Sequence, residues 1–82
     1  MDKGGIWVVD DDESIRWVLE RGLSENGIEV KTFDSASKVI KKLETENPSL
    51  ILTDIKMPGK SGIELLDEVR ELRPEIPIII MT

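Results

Sequence analysis

The sequence predicts an α/β domain, a doubly wound and mainly parallel sheet of four strands with helices on both faces. Three observations predict it. Short apolar runs alternate with stretches of helical periodicity in the order β-α-β-α-β-α-β. The connections are only a few residues long, so each helix serves as the crossover that a parallel pair of strands requires. Two of the apolar runs also end abruptly in aspartate, as buried strands do where they reach the rim of a sheet and meet solvent.

Ile6-Trp7-Val8-Val9 is the first strand, and Asp10-Asp11-Asp12 ends it. A helix follows, capped by Ser14 or beginning at Asp12, with Ile15, Val18, Leu19 and Leu23 as its core stripe and Asn26-Gly27 as its stop. Ile28 to Phe33 alternates with period two, which suits a strand near the sheet edge with one exposed face. Asp34 or Ser35 caps a second helix whose stripe is Ala36, Val39, Ile40 and Leu43, ending near Asn47-Pro48 because the residue before proline avoids helical angles.

Leu50-Ile51-Leu52-Thr53-Asp54 is the third strand, and Met57-Pro58-Gly59 turns the chain beyond it. Ser61-Gly62-Ile63-Glu64 has the spacing of a capping box, and Ile63, Leu66, Val69 and Leu72 supply the face of a third helix before Arg73-Pro74. Ile76 to Thr82 is a fourth strand, almost wholly apolar, of the kind that belongs inside a sheet with both faces covered. Trp7 and Trp17 read as packing residues, Trp17 off the main stripe of its helix, and Lys38, Lys41 and Lys42 read as a solvated face.

Composition narrows the function. With 82 residues there is room for one domain, and 39% hydrophobic against 34% charged residues is ordinary for a globular chain. The net charge of −6 repels nucleic-acid backbones and anionic membranes alike. No apolar run approaches the roughly 18 residues of a membrane helix, and the first residues lack a signal peptide's apolar core, so a cytoplasmic location is expected. Cys and His are both absent, which removes disulfides, thiolate and imidazole catalysis and the common transition-metal sites. Oxygen ligands remain as the only metal chemistry.

In an open parallel sheet the functional crevice lies beyond the carboxyl ends of the strands, where Asp10, Asp11 and Asp54 should converge. Carboxylates so placed repel, and a hard divalent cation such as Mg²⁺ relieves them. A lone Asp-Asp-Asp would be read as a solvated turn with capping duty; the second strand-end aspartate is what favours a site. A calcium hand is excluded, because the run from Asp10 to Ser14 lacks that loop's alternating ligands and glycine.

Val8-Val9-Asp10-Asp11-Asp12, Thr53-Asp54-Ile55-Lys56-Met57-Pro58-Gly59 and Ile78-Ile79-Ile80-Met81-Thr82 together resemble the receiver domain of bacterial response regulators. Within that family, Trp7 to Asp12 and Ser14 to Arg21 are similar to the opening of the nitrogen regulatory protein C type. The resemblance implies a flavodoxin-like sheet with strand order 2-1-3-4. It implies transfer of a phosphoryl group from a histidine kinase to Asp54, with Mg²⁺ held by Asp11, Asp54 and the backbone carbonyl of Lys56, and with Asp10 acting through a metal-bound water. Asp12 would cap the helix or stand just beyond the ligands. Thr82 would contact the phosphoryl group and couple it to a switch, where otherwise it is a strand-end threonine suited to β structure. Such a module is a phosphoacceptor rather than an enzyme, at most catalysing its own phosphorylation and dephosphorylation.

The family pattern has five strand-helix units, so residues 1–82 are expected to form a partial receiver, without the lysine at the end of strand five or the aromatic switch residue. An uncovered fourth strand is then expected to pair with a second copy. Two other readings stand beside the phosphoacceptor. One is a receiver fragment that folds and self-associates without phosphorelay activity. The other is a phosphatase of the haloacid-dehalogenase kind, with Asp10 as nucleophile and Asp12 assisting, although Glu13 and Ser14 depart from that pattern.

Overall fold

A computed structural model of the chain describes residues 5–81. Its elements follow the predicted alternation: β1 (Ile6–Val9), α1 (Glu13–Glu25), β2 (Val30–Phe33), α2 (Ala36–Lys42), β3 (Leu50–Asp54), α3 (Gly62–Leu72) and β4 (Ile78–Met81). All pairings are parallel, in the order β2-β1-β3-β4. Val9 lies opposite Phe33 on one side and Thr53 on the other, and Asp54 lies opposite Met81. Among the described residues, no helix is long and apolar enough to cross a membrane.

The helix ends show why the chain turns where it does. Asp12 rather than Ser14 caps α1, its Oδ1 accepting from the amides of Ser14 at 2.8 Å and Ile15 at 3.4 Å. At the other end Gly27 takes a φ of +79°, the left-handed turn that lets Ile28 N–H reach back to the Leu23 carbonyl. That bond keeps Ile28 in the helix terminus, so β2 begins at Val30 rather than at Ile28 as expected. Ser35 caps α2. The helix stops at Lys42, earlier than the proline suggested, because the next amides tighten onto carbonyls three residues back, Glu44 to Lys41 and Thr45 to Lys42. The expected capping box is present at α3: Ser61 Oγ accepts from Glu64 N–H, and Glu64 Oε1 accepts from Ser61 N–H at 2.8 Å. Ile76 belongs to the turn before β4, donating to the Arg73 carbonyl while its side chain enters the core.

One core cluster lies on one face of the sheet, where Trp7, Val9 and Ile51 meet Ala36, Val39 and Leu43 of the α2 region and Leu65 and Val69 of α3. The α2 stripe is as expected, with Ile40 packed at its margin. Trp7 is fully buried and tilts against Phe33 with ring centroids 4.9 Å apart, the packing role predicted for it. The α3 stripe is rotated from the expected one. Gly62, Leu65 and Val69 face inward, while Ile63 and Leu72 are about half exposed. Gly62 sets that rotation, because a Cβ there would lie 2.1 Å from the Asp54 carbonyl oxygen, so the glycine lets α3 seat directly on the end of β3.

The expected core stripe of α1 is also corrected: the helix buries no residue outright, with Ile15 42% and Val18 58% exposed and Leu19 and Leu23 half-buried. The reason is its position. It packs against β1 and β2 with no second helix beside it among the described residues, whereas α2 and α3 support each other. The fourth strand pairs only with β3, and Ile79 is 51% exposed, so among the described residues it is the uncovered edge that was expected.

Candidate phosphoacceptor site

Parallel strands end on the same rim, and β1 and β3 are direct neighbours, so Asp10 and Asp54 each stand one step beyond the Val9–Thr53 pair. The sequence therefore places two carboxylates side by side. Asp10 is almost wholly buried, with its N–H donating to the Phe33 carbonyl at 3.0 Å and its Oδ1 accepting from Asp12 N–H at 2.9 Å. Burial pushes its carboxyl above the ordinary aspartate value; the Asp12 amide bond opposes this, and the negative charges of Asp54, Asp11 and Asp12 add to the rise.

Asp54 is half-buried, and its Oδ1 accepts from Ile55 N–H at 2.8 Å. The fully buried Thr53 donates its hydroxyl to the Asp54 carbonyl at 3.0 Å. Asp11 is exposed and projects from the turn itself. Carboxylate oxygens of Asp10, Asp11 and Asp54 lie within 4.8 Å of one another. They open on a cleft of about 350 Å³ that Asp12, Ile15 and Met81 also line.

These residues fit a hard divalent cation. The donors are all oxygen, and two ligands on one Mg²⁺ stand at most about 4.2 Å apart, so the observed spread closes with small side-chain rotations. A cation would also relieve the repulsion that adds to the effect of burial at Asp10.

The expected site residues divide as follows. Asp10, Asp11 and Asp54 come together. Asp12 lines the same cleft but spends its Oδ1 on capping α1, the first of the roles expected of it. Lys56 is exposed on the loop two residues past Asp54. That loop turns at Gly59, with a φ of +80°, while Met57 buries its side chain in the core. Thr82 lies outside the described residues. Two contributors were not singled out from sequence. Gly62 seats α3 against the Asp54 carbonyl, and its only signal was a glycine just after a helix cap. Arg16 donates its Nη1 to the Asp10 carbonyl at 2.7 Å, and nothing in its residue type announces a backbone partner.

Comparison with known proteins agrees with this geometry. The profile of the response regulator receiver domain matches residues 6–82. The DNA-binding transcriptional regulator NtrC of Proteus hauseri is 49% identical over all 82 residues, which span 17% of that protein's length. The apo receiver domain of nitrogen regulatory protein C superposes with a TM-score of 0.87 at 46% identity, over 100% of this chain and 66% of that one. The response regulator TrrA of Thermotoga maritima, in complex with Mg²⁺-BeF, gives a TM-score of 0.87 at 38% identity, over 98% of this chain and 68% of that one. The family assignment leaves no support for a dehalogenase-like phosphatase with Asp10 as nucleophile, and Asp10 is the most buried of the three carboxylates. With its parallel 2-1-3-4 sheet and acidic rim, the chain belongs to the response regulator receiver domain family and is of the NtrC-like type.

Proposed function

We propose that Asp54 accepts a phosphoryl group from the phosphohistidine of a histidine kinase. The observation that carries this is the convergence of Asp10, Asp11 and Asp54 at the end of β1 and β3. Asp11, Asp54 and the backbone carbonyl of Lys56 would hold Mg²⁺, with Asp10 reaching it through water. When bound, that ion supplies the positive charge that lets an anionic phosphoryl group approach a carboxylate.

The chain's own residues do the rest. Ile55 N–H occupies Asp54 Oδ1 and orients the carboxylate, which leaves Oδ2 as the attacking oxygen. An O–P bond forms as the P–N bond of the phosphohistidine breaks, and the departing imidazole keeps the electron pair and takes up a proton from solvent. A carboxylate nucleophile needs no general base, which suits a chain without histidine. Thr82 would contact the transferred group and pass its presence on as a conformational change; Asp12 keeps the turn in place by capping α1. The module would work in the cytoplasm, without nucleic-acid contact of its own, as its charge of −6 suggests.

The test is intact-mass spectrometry after incubation with Mg²⁺ and acetyl phosphate. One phosphoryl adduct is expected in the wild-type chain and none in Asp54→Asn. No adduct in a wild-type chain shown to be folded would favour a fragment that keeps the architecture alone.

The edge of β4 supports a second element of the proposal, pairing with another copy of the chain. Its backbone is unpaired on one side among the described residues, and Ile79 stands out from it. Sedimentation velocity over a hundredfold dilution should then show a concentration-dependent dimer. A monomer throughout would remove it.

A further inference from the structure

Arg16 stands on the first turns of α1 and ties together the two ends of the acidic run. Its Nη1 donates to the Asp10 carbonyl at 2.7 Å, and its backbone N–H donates to the Asp12 carbonyl at 3.1 Å. The other backbone atom of Asp10 is also engaged, its N–H donating to Phe33 on β2. The residue that begins the turn is therefore held through both its peptide groups, one by β2 and the other by α1. Within the turn, Asp12 N–H donates to Asp10 Oδ1, which fixes the direction of the Asp10 carboxylate.

Such bracing has work to do in the metal-free chain. Three carboxylates held within 4.8 Å repel one another, and Asp11, exposed on a short turn, would otherwise swing away from the cleft. We infer that Arg16 is a positioning residue that clamps the β1–α1 turn, so that Asp10 and Asp11 stay aimed at Asp54 and the cation site is set before the cation arrives. This rests on the reading of the three carboxylates as a Mg²⁺ site.

The clamp can be told from a simple charge effect by its sign. A guanidinium acting only as a nearby positive charge repels a divalent cation, and its removal would tighten binding. Removing a clamp loosens it. The experiment is calorimetric titration of Mg²⁺ alone into the wild-type chain, Arg16→Met, Arg16→Lys, Arg21→Met and Asp54→Asn, each checked for folding by thermal melting. Arg16→Met, which keeps most of the aliphatic stem, should bind about tenfold more weakly, the scale found when groups that orient metal ligands are removed. Arg16→Lys, with the charge and one donor restored, should recover part of the loss. Arg21→Met should bind as the wild type does, because Arg21 pairs with Glu25 and lies over Trp17 on the exposed side of the same helix.

Equal or tighter binding by folded Arg16→Met would overturn the clamp. If Asp54→Asn binds Mg²⁺ as well as the wild type, the site reading itself fails, independently of Arg16. Should Arg16→Met not fold, Arg16→Gln, neutral and too short for the same reach, carries the comparison with the same two outcomes.

Discussion

The two faces of this sheet are finished differently, and the chain segments that carry the site are held by different means. On one face α2 and α3 close over Trp7, Val9 and Ile51, and Ala36, Val39, Leu65 and Val69 are buried there. On the other, α1 lies alone over β1 and β2 and buries nothing outright. The chain just past Asp54 is held from the closed side: Met57 plugs the loop beyond it into the core, and Gly62 packs α3 against its carbonyl. Asp10 and Asp11 open the turn into α1 on the sparsely covered side, where a hydrogen bond to the Phe33 carbonyl and others from Asp12 and Arg16 hold the chain. Packing holds the loop that follows Asp54; hydrogen bonding alone holds the turn that carries Asp10 and Asp11.

The largest effect that would break this comparison is a difference in stability between the faces. Leu65→Ala removes a fully buried side chain and should cost about 2–5 kcal/mol. Val18→Ala on α1 should change stability by under about 0.5 kcal/mol, because that side chain is already more than half exposed. Urea unfolding of both variants measures the contrast. Similar losses would mean that α1 carries as much of the fold as α2 and α3 do.

A smaller effect probes the contact between fold and site. Gly62→Ala brings a methyl group into the Asp54 carbonyl, and relieving the clash should cost about 1–3 kcal/mol in the same unfolding experiment. The shift of Asp54 should also weaken Mg²⁺ binding. Stability lost with binding intact would mean that the end of β3 moves independently of its carboxylate.

The smallest expected effect sharpens the account of the hydrogen-bonded half. Burial and then its acidic neighbours hold the Asp10 carboxyl above its ordinary value, so the folded chain binds this proton more tightly than the unfolded one does. That contribution to stability is full at low pH and is lost as the pH rises through the raised value. Asp10→Asn cannot ionise and keeps an oxygen for Asp12 N–H, so it escapes the loss. In metal-free buffer the wild-type Tm should fall relative to Asp10→Asn as the pH goes from about 4 to 7. Parallel Tm profiles would show that Asp10 ionises without strain.

What sequence could show and what it could not divide along a physical line. The strand ends at Asp10 and Asp54, the Ser61–Glu64 capping box and the Ala36–Val39–Leu43 stripe are local patterns, and each is where it was expected. The rotation of α3 was not legible. Ile63-Leu66 and Leu65-Val69 both repeat at helical spacing, and the choice falls to a contact between Gly62 and a residue eight positions earlier. The exposure of Ile15 and Val18 depends in the same way on which helices flank α1. Arg16 escaped notice because its partner is a backbone carbonyl, and a carbonyl has no residue type.

In the proposed division of labour among three adjacent carboxylates, Asp54 alone takes the phosphoryl group, while all three serve the cation. The most direct measurement locates the transferred group by borohydride reduction of the phosphorylated chain, which converts an acyl phosphate of aspartate to homoserine, followed by peptide mass spectrometry. Homoserine at position 54 alone is the predicted result. Homoserine at position 10 or 11, or at none in a folded chain supplied with Mg²⁺ and phosphodonor, would contradict it.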